Sequence, residues 1–506
     1  MRQPWNGLAV GAEAGGGSKK GAGSAMLASY LAEAGRIAPI MKPPTRPPAL
    51  PVILQRRHTD EFVAAPYGVS ERAALAKVFQ DGPRDAQRLG MALGDYWSGR
   101  TGTAAGLLAL NDVAGERYYQ VPREAALEPA AAEAAFGGDE LVIDVQTHYV
   151  ADRALEVWGP MIQQMYRAMQ PDWWHGIDGM AAYDLAEYLR CVFLESETAV
   201  AVLTSGPGLG ASRMLFNREM AAGRELFELL GAAGRLLNHC VIHADVPGEI
   251  EGMERELELY KPVGWKCYTM GTIEGGQTGQ EPGWHLDDER TGVRFLARAE
   301  ELGVPLVCAH KGISQLVAAG SPRDVGPAAR MFPGIAFVIY HSGYEYPASE
   351  KPEEGPYTEE TSHLGVNRLI KSLRDAKLPP GANVYAELGT TWFCLIRRPE
   401  EAAHVLGKLL LALGEDNVIW GSDSIWYGPT QVVIDAFRAF QIPRVLRERF
   451  GYPELTPAIK AKILGLNAAR VYGIDPDAAK RRARSDDLAW LKSAVAEYRA
   501  HGTPTL

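Results

Sequence analysis

Four segments of the chain end an apolar run with a residue able to hold a divalent cation. They are Asp144-Val145-Gln146-Thr147-His148, Val307-Cys308-Ala309-His310, Val338-Ile339-Tyr340-His341-Ser342-Gly343 and Ile419-Trp420-Gly421-Ser422-Asp423-Ser424. A single histidine in such a place is ordinarily a hydrogen-bonded core or rim residue. Three histidines and one aspartate, each at the same end of a successive apolar run, form the nitrogen and oxygen donor set that suits Zn, Mn or Fe. Because side chains alternate along a strand, Gln146 and His148 are expected on one side of the first run. Two more groups extend the set: Glu387 in Tyr385-Ala386-Glu387-Leu388-Gly389, an added carboxylate ligand, and Lys266 in Trp265-Lys266-Cys267-Tyr268. The plainer alternative for these two is a salt bridge to each other, or a rim carboxylate and a solvated amine. His175 and His243 are further nitrogen donors in neighbouring segments. Aromatic residues crowd the same loops: Trp174 before His175, Tyr344 after His341, Trp392 after Glu387, Trp426 and Tyr427 after Asp423. They are expected to line an apolar, ring-accepting substrate pocket, with packing between helices and loops as the alternative.

The elements that must present these residues are short apolar runs alternating with longer amphipathic segments, the texture of βα repetition. Candidate strands are 141–145, 199–203, 240–243, 264–268, 305–309, 336–340, 383–388 and 418–421. Eight such runs, several apolar on both faces, predict a parallel (β/α)8 TIM barrel whose active site lies at the C-terminal ends of the strands. An open doubly wound sheet is the competing architecture. Residues 1–55 divide into a Gly/Ala-rich leader and a linker with five prolines between Pro43 and Pro51, and are expected to carry no core. Residues 56–138 show three- and four-residue apolar steps (Ala74, Leu75, Val78, Phe79; Leu89, Leu93, Tyr96) and predict an N-terminal helical extension. The barrel is expected over 139–475 and a C-terminal helix over 476–506.

Composition bounds the function. In 506 residues, 46% are hydrophobic and 23% charged, which is enough for a large core and excludes disordered, collagen-like and coiled-coil classes. The 62 acidic residues outnumber 52 Lys and Arg, giving a net charge of −10, so no nucleic-acid partner is expected. Five scattered cysteines without a CxxC spacing suggest reduced thiols, not a disulfide framework or thiolate zinc site. No apolar run approaches the length of a membrane span, so no membrane partner is expected and the cytoplasm is the expected compartment. Lys19-Lys20 and the small-residue stretch after them only loosely imitate a secretory signal, and a disordered or mis-started leader is the simpler account. Gly206-Pro207-Gly208-Leu209-Gly210 lacks the Lys-Ser/Thr of a phosphate loop and is expected to be a βα turn.

In order and spacing these motifs resemble the amidohydrolase superfamily, in its amidohydrolase-2 branch of metal-dependent TIM-barrel hydrolases and decarboxylases. That pattern has His-x-His after the first strand, His after the fifth, His after the sixth and Asp after the eighth. Here Gln146 and His148, His310, His341 and Asp423 fill those places, with Gln146 replacing the first histidine. The segment Lys462-Ile463-Leu464-Gly465-Leu466-Asn467-Ala468-Ala469-Arg470 is similar to the family's closing helix. The resemblance implies a divalent metal, Zn first and Mn or Fe as alternatives, held by Gln146, His148, His310, His341, Glu387 and Asp423. Lys266 lies where dinuclear members hold a bridging modified lysine. The implied reaction is attack of metal-activated water on a carbonyl, with Asp423 taking the proton and His341 or His310 stabilising the oxyanion. Non-oxidative decarboxylation of an aromatic or unsaturated acid is its close variant. Gln146 and Glu387, as extra oxygen donors, motivate a dinuclear Fe or Mn/Fe oxygenase as the alternative, and Gln146 alone a metal-poor structural subunit. The implied partner is a small-molecule substrate. A homodimer is expected, or a hetero-oligomer with a related barrel.

Overall fold

The computed structural model describes residues 50–57, 59, 67–154, 156–157, 183–208, 210, 213–269, 283–313, 318–345 and 353–501. Residues 1–49, Trp174 and His175 lie outside them, whereas Val52, Ile53 and Leu54, expected to belong to a linker without core, are buried in the main hydrophobic cluster. Every strand is parallel to its neighbours. β1 (Ile143–Thr147), β2 (Val200–Leu203) and β3 (Leu236–Asn238) form one sheet; β4 (Cys240–Val241), β5 (Trp265–Tyr268), β6 (Leu306–His310), β7 (Ala336–Tyr340), β8 (Val384–Glu387) and β9 (Val418–Ile419) form the other, in that order. β3 and β4 are separated only by His239. The His239 backbone N–H donates to Leu203 O on β2 (3.0 Å), and that of Cys240 to Gly264 O ahead of β5 (3.2 Å), so the two pieces act as one third strand. The eight runs expected from the sequence are present, with the third starting earlier, at Leu236, than the expected 240–243.

The ring closes between its ends. Val145 N–H donates to Trp420 O (3.2 Å), Asp423 N–H to Gln146 O (2.9 Å) and His148 N–H to Ser424 O (2.8 Å), with a parallel bridge pairing Thr147 and Ser424. Eight parallel strands therefore form a (β/α)8 barrel, not an open sheet. Alternation sorts the side chains. Val307, Ala309, Phe337, Ile339 and Ala386 pack outward with the helices, while Leu306, Cys308, Val338, Tyr340, Ile143 and Ile419 share an inner cluster with Ala468 and Ala469. The segment after β9 seals that inner cluster. Asn467 Nδ2 donates to Val418 O (2.8 Å), and Tyr472 brings its hydroxyl to His239 Nε2 (3.2 Å). All five cysteines are buried and unpaired. Among the described residues no helix is long and apolar enough to cross a membrane.

Helices α1 (Val69–Arg88), α2 (Leu93–Ser98), α3 (Arg100–Ala114) and α4 (Pro129–Phe136) precede the barrel and pack on it. Tyr119 Oη donates to Ile396 O (2.6 Å) beyond β8, and Gln120 N–H to Ala439 O (2.7 Å) at the end of the helix after β9. Arg100 at the start of α3 anchors the contact: its Nε meets Asp435 Oδ2 at 2.9 Å and its Nη2 meets Glu197 Oε1 at 2.7 Å. The Asp435 side chain is 2% exposed, so removing its cation leaves a buried carboxylate poorly compensated. Arg100→Ala is expected to cost about 2–3 kcal/mol of unfolding free energy, measured by urea denaturation, with the barrel's own secondary structure retained.

Candidate functional site

Gln146, His148, His310, His341 and Asp423 gather at the C-terminal ends of β1, β6, β7 and β9, and all are buried. His310 ends β6 two residues after the inward Cys308, so alternation alone puts its ring in the barrel mouth. It stacks on Tyr268 (centroids 4.9 Å apart, 27°) and meets the edge of His341 (4.6 Å, 71°). His341 Nδ1 lies 2.7 Å from Gly389 O. A carbonyl only accepts, so the proton sits on Nδ1 and the Nε2 lone pair faces the cluster. His148 Nε2 stands 3.6 Å from Asp423 Oδ1, beyond hydrogen-bond reach, and among the described residues neither ring nitrogen has a hydrogen-bond partner. Trp426 tilts over the His148 ring (5.4 Å, 58°) and touches Tyr183 in turn (5.3 Å), so this aromatic does cover the cluster.

Asp423 has both carboxylate oxygens engaged. Oδ1 accepts from Gln146 Nε2 (2.8 Å) and Oδ2 from Thr390 Oγ1. Having given its proton to Asp423, Thr390 accepts from Tyr427 Oη, whose ring stacks on Phe393 (4.0 Å, 13°). Sequence reasoning missed Thr390. Nothing in Leu388-Gly389-Thr390-Thr391 signals its role, which arises from a backbone turn. His341 (φ 65°), Ser342 (φ 55°), Thr390 (φ 56°) and Asp423 (φ 58°) all adopt the left-handed region that such residues avoid, and all stand at this site. Each such residue costs on the order of 1 kcal/mol, which the surrounding hydrogen bonds offset.

The remaining expected residues fall in different places. Glu387 is fully buried beneath the cluster, with Oε2 accepting from His341 N–H (3.0 Å) and Oε1 from Gly389 N–H (2.5 Å). It pegs two site-bearing turns to the backbone, and burial pushes its pKa up to about 8. Lys266, on β5, is fully buried, with Nζ 3.9 Å from the Tyr340 ring centroid and 4.3 Å from that of Tyr268. These aromatic faces hold the cation inside the barrel. Trp392 packs in the helix layer, not the mouth: its Nε1 donates to Val433 O (2.9 Å) and its ring meets Phe437 and Phe440 edge-on. Tyr344 turns its hydroxyl to Glu401 (3.2 Å) on the helix after β8. His243 is buried, and burial lowers its pKa to about 3.

The chemistry of the donors fits a divalent cation. Burial lowers the pKa of His148 to about 3 and those of His310 and His341 well below the ordinary value, with the Lys266 charge adding to the effect in each. Ligation needs such neutral imidazoles, and the two unpartnered nitrogens of His148 are buried donors awaiting a partner. Among the described residues, however, no three His, Cys, Asp or Glu side chains are gathered as a ligand set. Gln146 stands among them, its amide nitrogen 2.8 Å from Asp423 and 3.4 Å from His341 Nε2.

A family model described as amidohydrolase matches residues 143–474. Similar solved structures include an uncharacterized TIM-barrel protein of Bordetella bronchiseptica (14% identity, 68% of this chain and 99% of that chain, TM-score 0.43). Others are 5-carboxyvanillate decarboxylase from Sphingomonas paucimobilis (14%, 67% and 100%, 0.39) and 2,6-dihydroxybenzoate decarboxylase from Rhizobium (13%, 66% and 99%, 0.37). Comparison with curated proteins gives no match.

The buried histidines set the acid stability. A folded-state pKa depressed below the unfolded value near 6.5 gives stability that is whole above pH 6.5 and is lost as pH falls toward the folded value. For His148, with a folded value of about 3, the loss between pH 7 and pH 5 is about 2 kcal/mol. Urea unfolding of chelator-treated protein at the two pH values is expected to show His148→Gln losing about 2 kcal/mol less than the unaltered chain.

Proposed function

The chain belongs to the amidohydrolase family, and from that premise we propose that it is a metal-dependent enzyme acting on a small carboxylic acid or ester-like substrate, by hydrolysis or by loss of CO2. The observation that carries this reading is the burial of three imidazoles that burial keeps neutral and one carboxylate at the C-terminal ends of four strands of one barrel. So many buried polar side chains at one place are costly unless they hold something.

His148, His310 and Asp423, which do not stand close enough together as a ligand set in this structure, would have to draw together to hold the cation. When bound, it supplies an acidified water and a Lewis acid for a substrate oxygen. His341 stands beside them with a different task. Its Nδ1–H is fixed on Gly389 O, so Nε2 is the atom that takes up a proton from the reacting group and returns it. Thr390 and Tyr427 orient Asp423 from behind, so the carboxylate keeps one direction through the reaction. Trp426 and Tyr183 cover the His148 side and exclude water. Lys266, buried between two rings, adds positive potential that favours an anionic substrate group in the mouth.

The substrate class is tested by incubating purified protein with aromatic carboxylic acids, scored for CO2, and with esters, lactones and amides, scored for acid release. His148→Ala is expected to lose bound metal and turnover together, and retention of both overturns the proposal. His341→Gln is expected to keep its metal while kcat falls about 10²–10⁴-fold, with KM little changed.

A further inference from the structure

The place of Gln146 admits a sharper statement than a weak ligand. Its amide nitrogen carries two hydrogens and stands near two acceptors, Asp423 Oδ1 at 2.8 Å and the lone pair of His341 Nε2 at 3.4 Å. The amide cannot be turned the other way, since its oxygen would then face the carboxylate oxygen and an imidazole lone pair with no hydrogen between them. The oxygen, Oε1, points away, buried and, among the described residues, without a hydrogen-bond partner. It lies against Gly389, where a Cβ would stand 2.5 Å from it, while a Cβ at Gly421 would stand 3.2 Å from Gln146 Cβ. The amide is thus seated in a slot that two glycines leave open. Thr390 donates to the other carboxylate oxygen of Asp423, Oδ2, so the amide and this hydroxyl hold the carboxylate from two sides.

We propose that Gln146 is a displaceable internal competitor of the metal and not one of its ligands. In the metal-free chain one amide hydrogen satisfies Asp423 Oδ1, the atom a cation would need, while the other is turned to His341 Nε2. A divalent ion competes with the amide for Asp423 Oδ1, so binding is weakened and the enzyme is loaded in proportion to the free metal concentration. This inference rests on the metal-dependent reading above. It assigns Gln146 a regulatory role at that site: a latch on metal entry.

The test reads the direction of change in metal affinity. Chelator-stripped full-length chain is titrated with Mn2+ and with Zn2+ by isothermal calorimetry, unaltered and as Gln146→Leu and Gln146→Met. Both variants remove the amide donors at similar length; the unbranched Met variant keeps the test decisive if Leu disturbs the fold, and circular dichroism checks each. Competition predicts binding about tenfold tighter or more in the variants, the factor for a hydrogen bond to a charged acceptor. A ligand role through Oε1 predicts weaker binding, and a passive role predicts no change; either result overturns the inference while leaving the metal site standing. Absence of binding in all three proteins overturns the metal-dependent reading and this inference with it.

Discussion

The site depends on the seam where the barrel's last strand meets its first. β9 is only two residues long, so the chain beyond it is held by hydrogen bonds to the other side of the seam: Asp423 N–H to Gln146 O and His148 N–H to Ser424 O. These bonds bring three functional side chains from opposite ends of a span of some 280 residues within contact of one another. Asp144 strengthens the seam, its Oδ1 accepting from the N–H groups of Ser422 (2.9 Å) and Gln146 (3.3 Å). Were the sheet open, Asp423 and His148 would belong to different edges and no shared site would exist.

The electrostatics follow from that enclosure. Burial favours neutral imidazoles at His148, His310 and His341 and pushes up the carboxyls of Asp144, to about 7, and Glu387, to about 8. Lys266 keeps company with Tyr268 and Tyr340, whose ring faces replace part of its lost hydration. The left-handed turns at His341, Ser342, Thr390 and Asp423 are held by the same network, notably Thr391 Oγ1 on His341 O (3.0 Å) and Ser342 Oγ on Glu387 O (2.6 Å). Backbone strain and buried polarity are thus concentrated together, as they are at many working sites.

Much of this was legible in the sequence because period-2 apolar runs and the residue ending each run are local features. His148, His310, His341 and Asp423 announced themselves as donors at strand ends, and the eight strands did so as runs of apolar residues. The third strand was harder, since Leu236-Leu237-Asn238-His239-Cys240-Val241 interrupts its apolar run with Asn238 and His239. What stayed hidden depends on three-dimensional partners. Thr390 matters because its turn carries it to Asp423, and Glu387 is a peg because two N–H groups from different turns converge on it. Trp392 belongs to the helix layer because its own helix, Thr391–Leu395, aims it at Phe437 and Phe440. The oxygenase alternative drew on Gln146 and Glu387 as extra oxygen donors, and the structure engages both oxygens of Glu387 with backbone N–H groups.

Gln146 differs in kind from the histidines beside it: its amide offers hydrogens that pair with Asp423, where an imidazole nitrogen offers a lone pair for a cation. The account stands on one polar cluster having two states, one closed by the amide and one held by metal. The most direct test is the anomalous difference map from a crystal soaked in Mn2+. The account predicts one peak among His148, His310 and Asp423 with the Gln146 amide withdrawn from Asp423. A peak elsewhere, or one with Gln146 Oε1 bound to the ion, would contradict it.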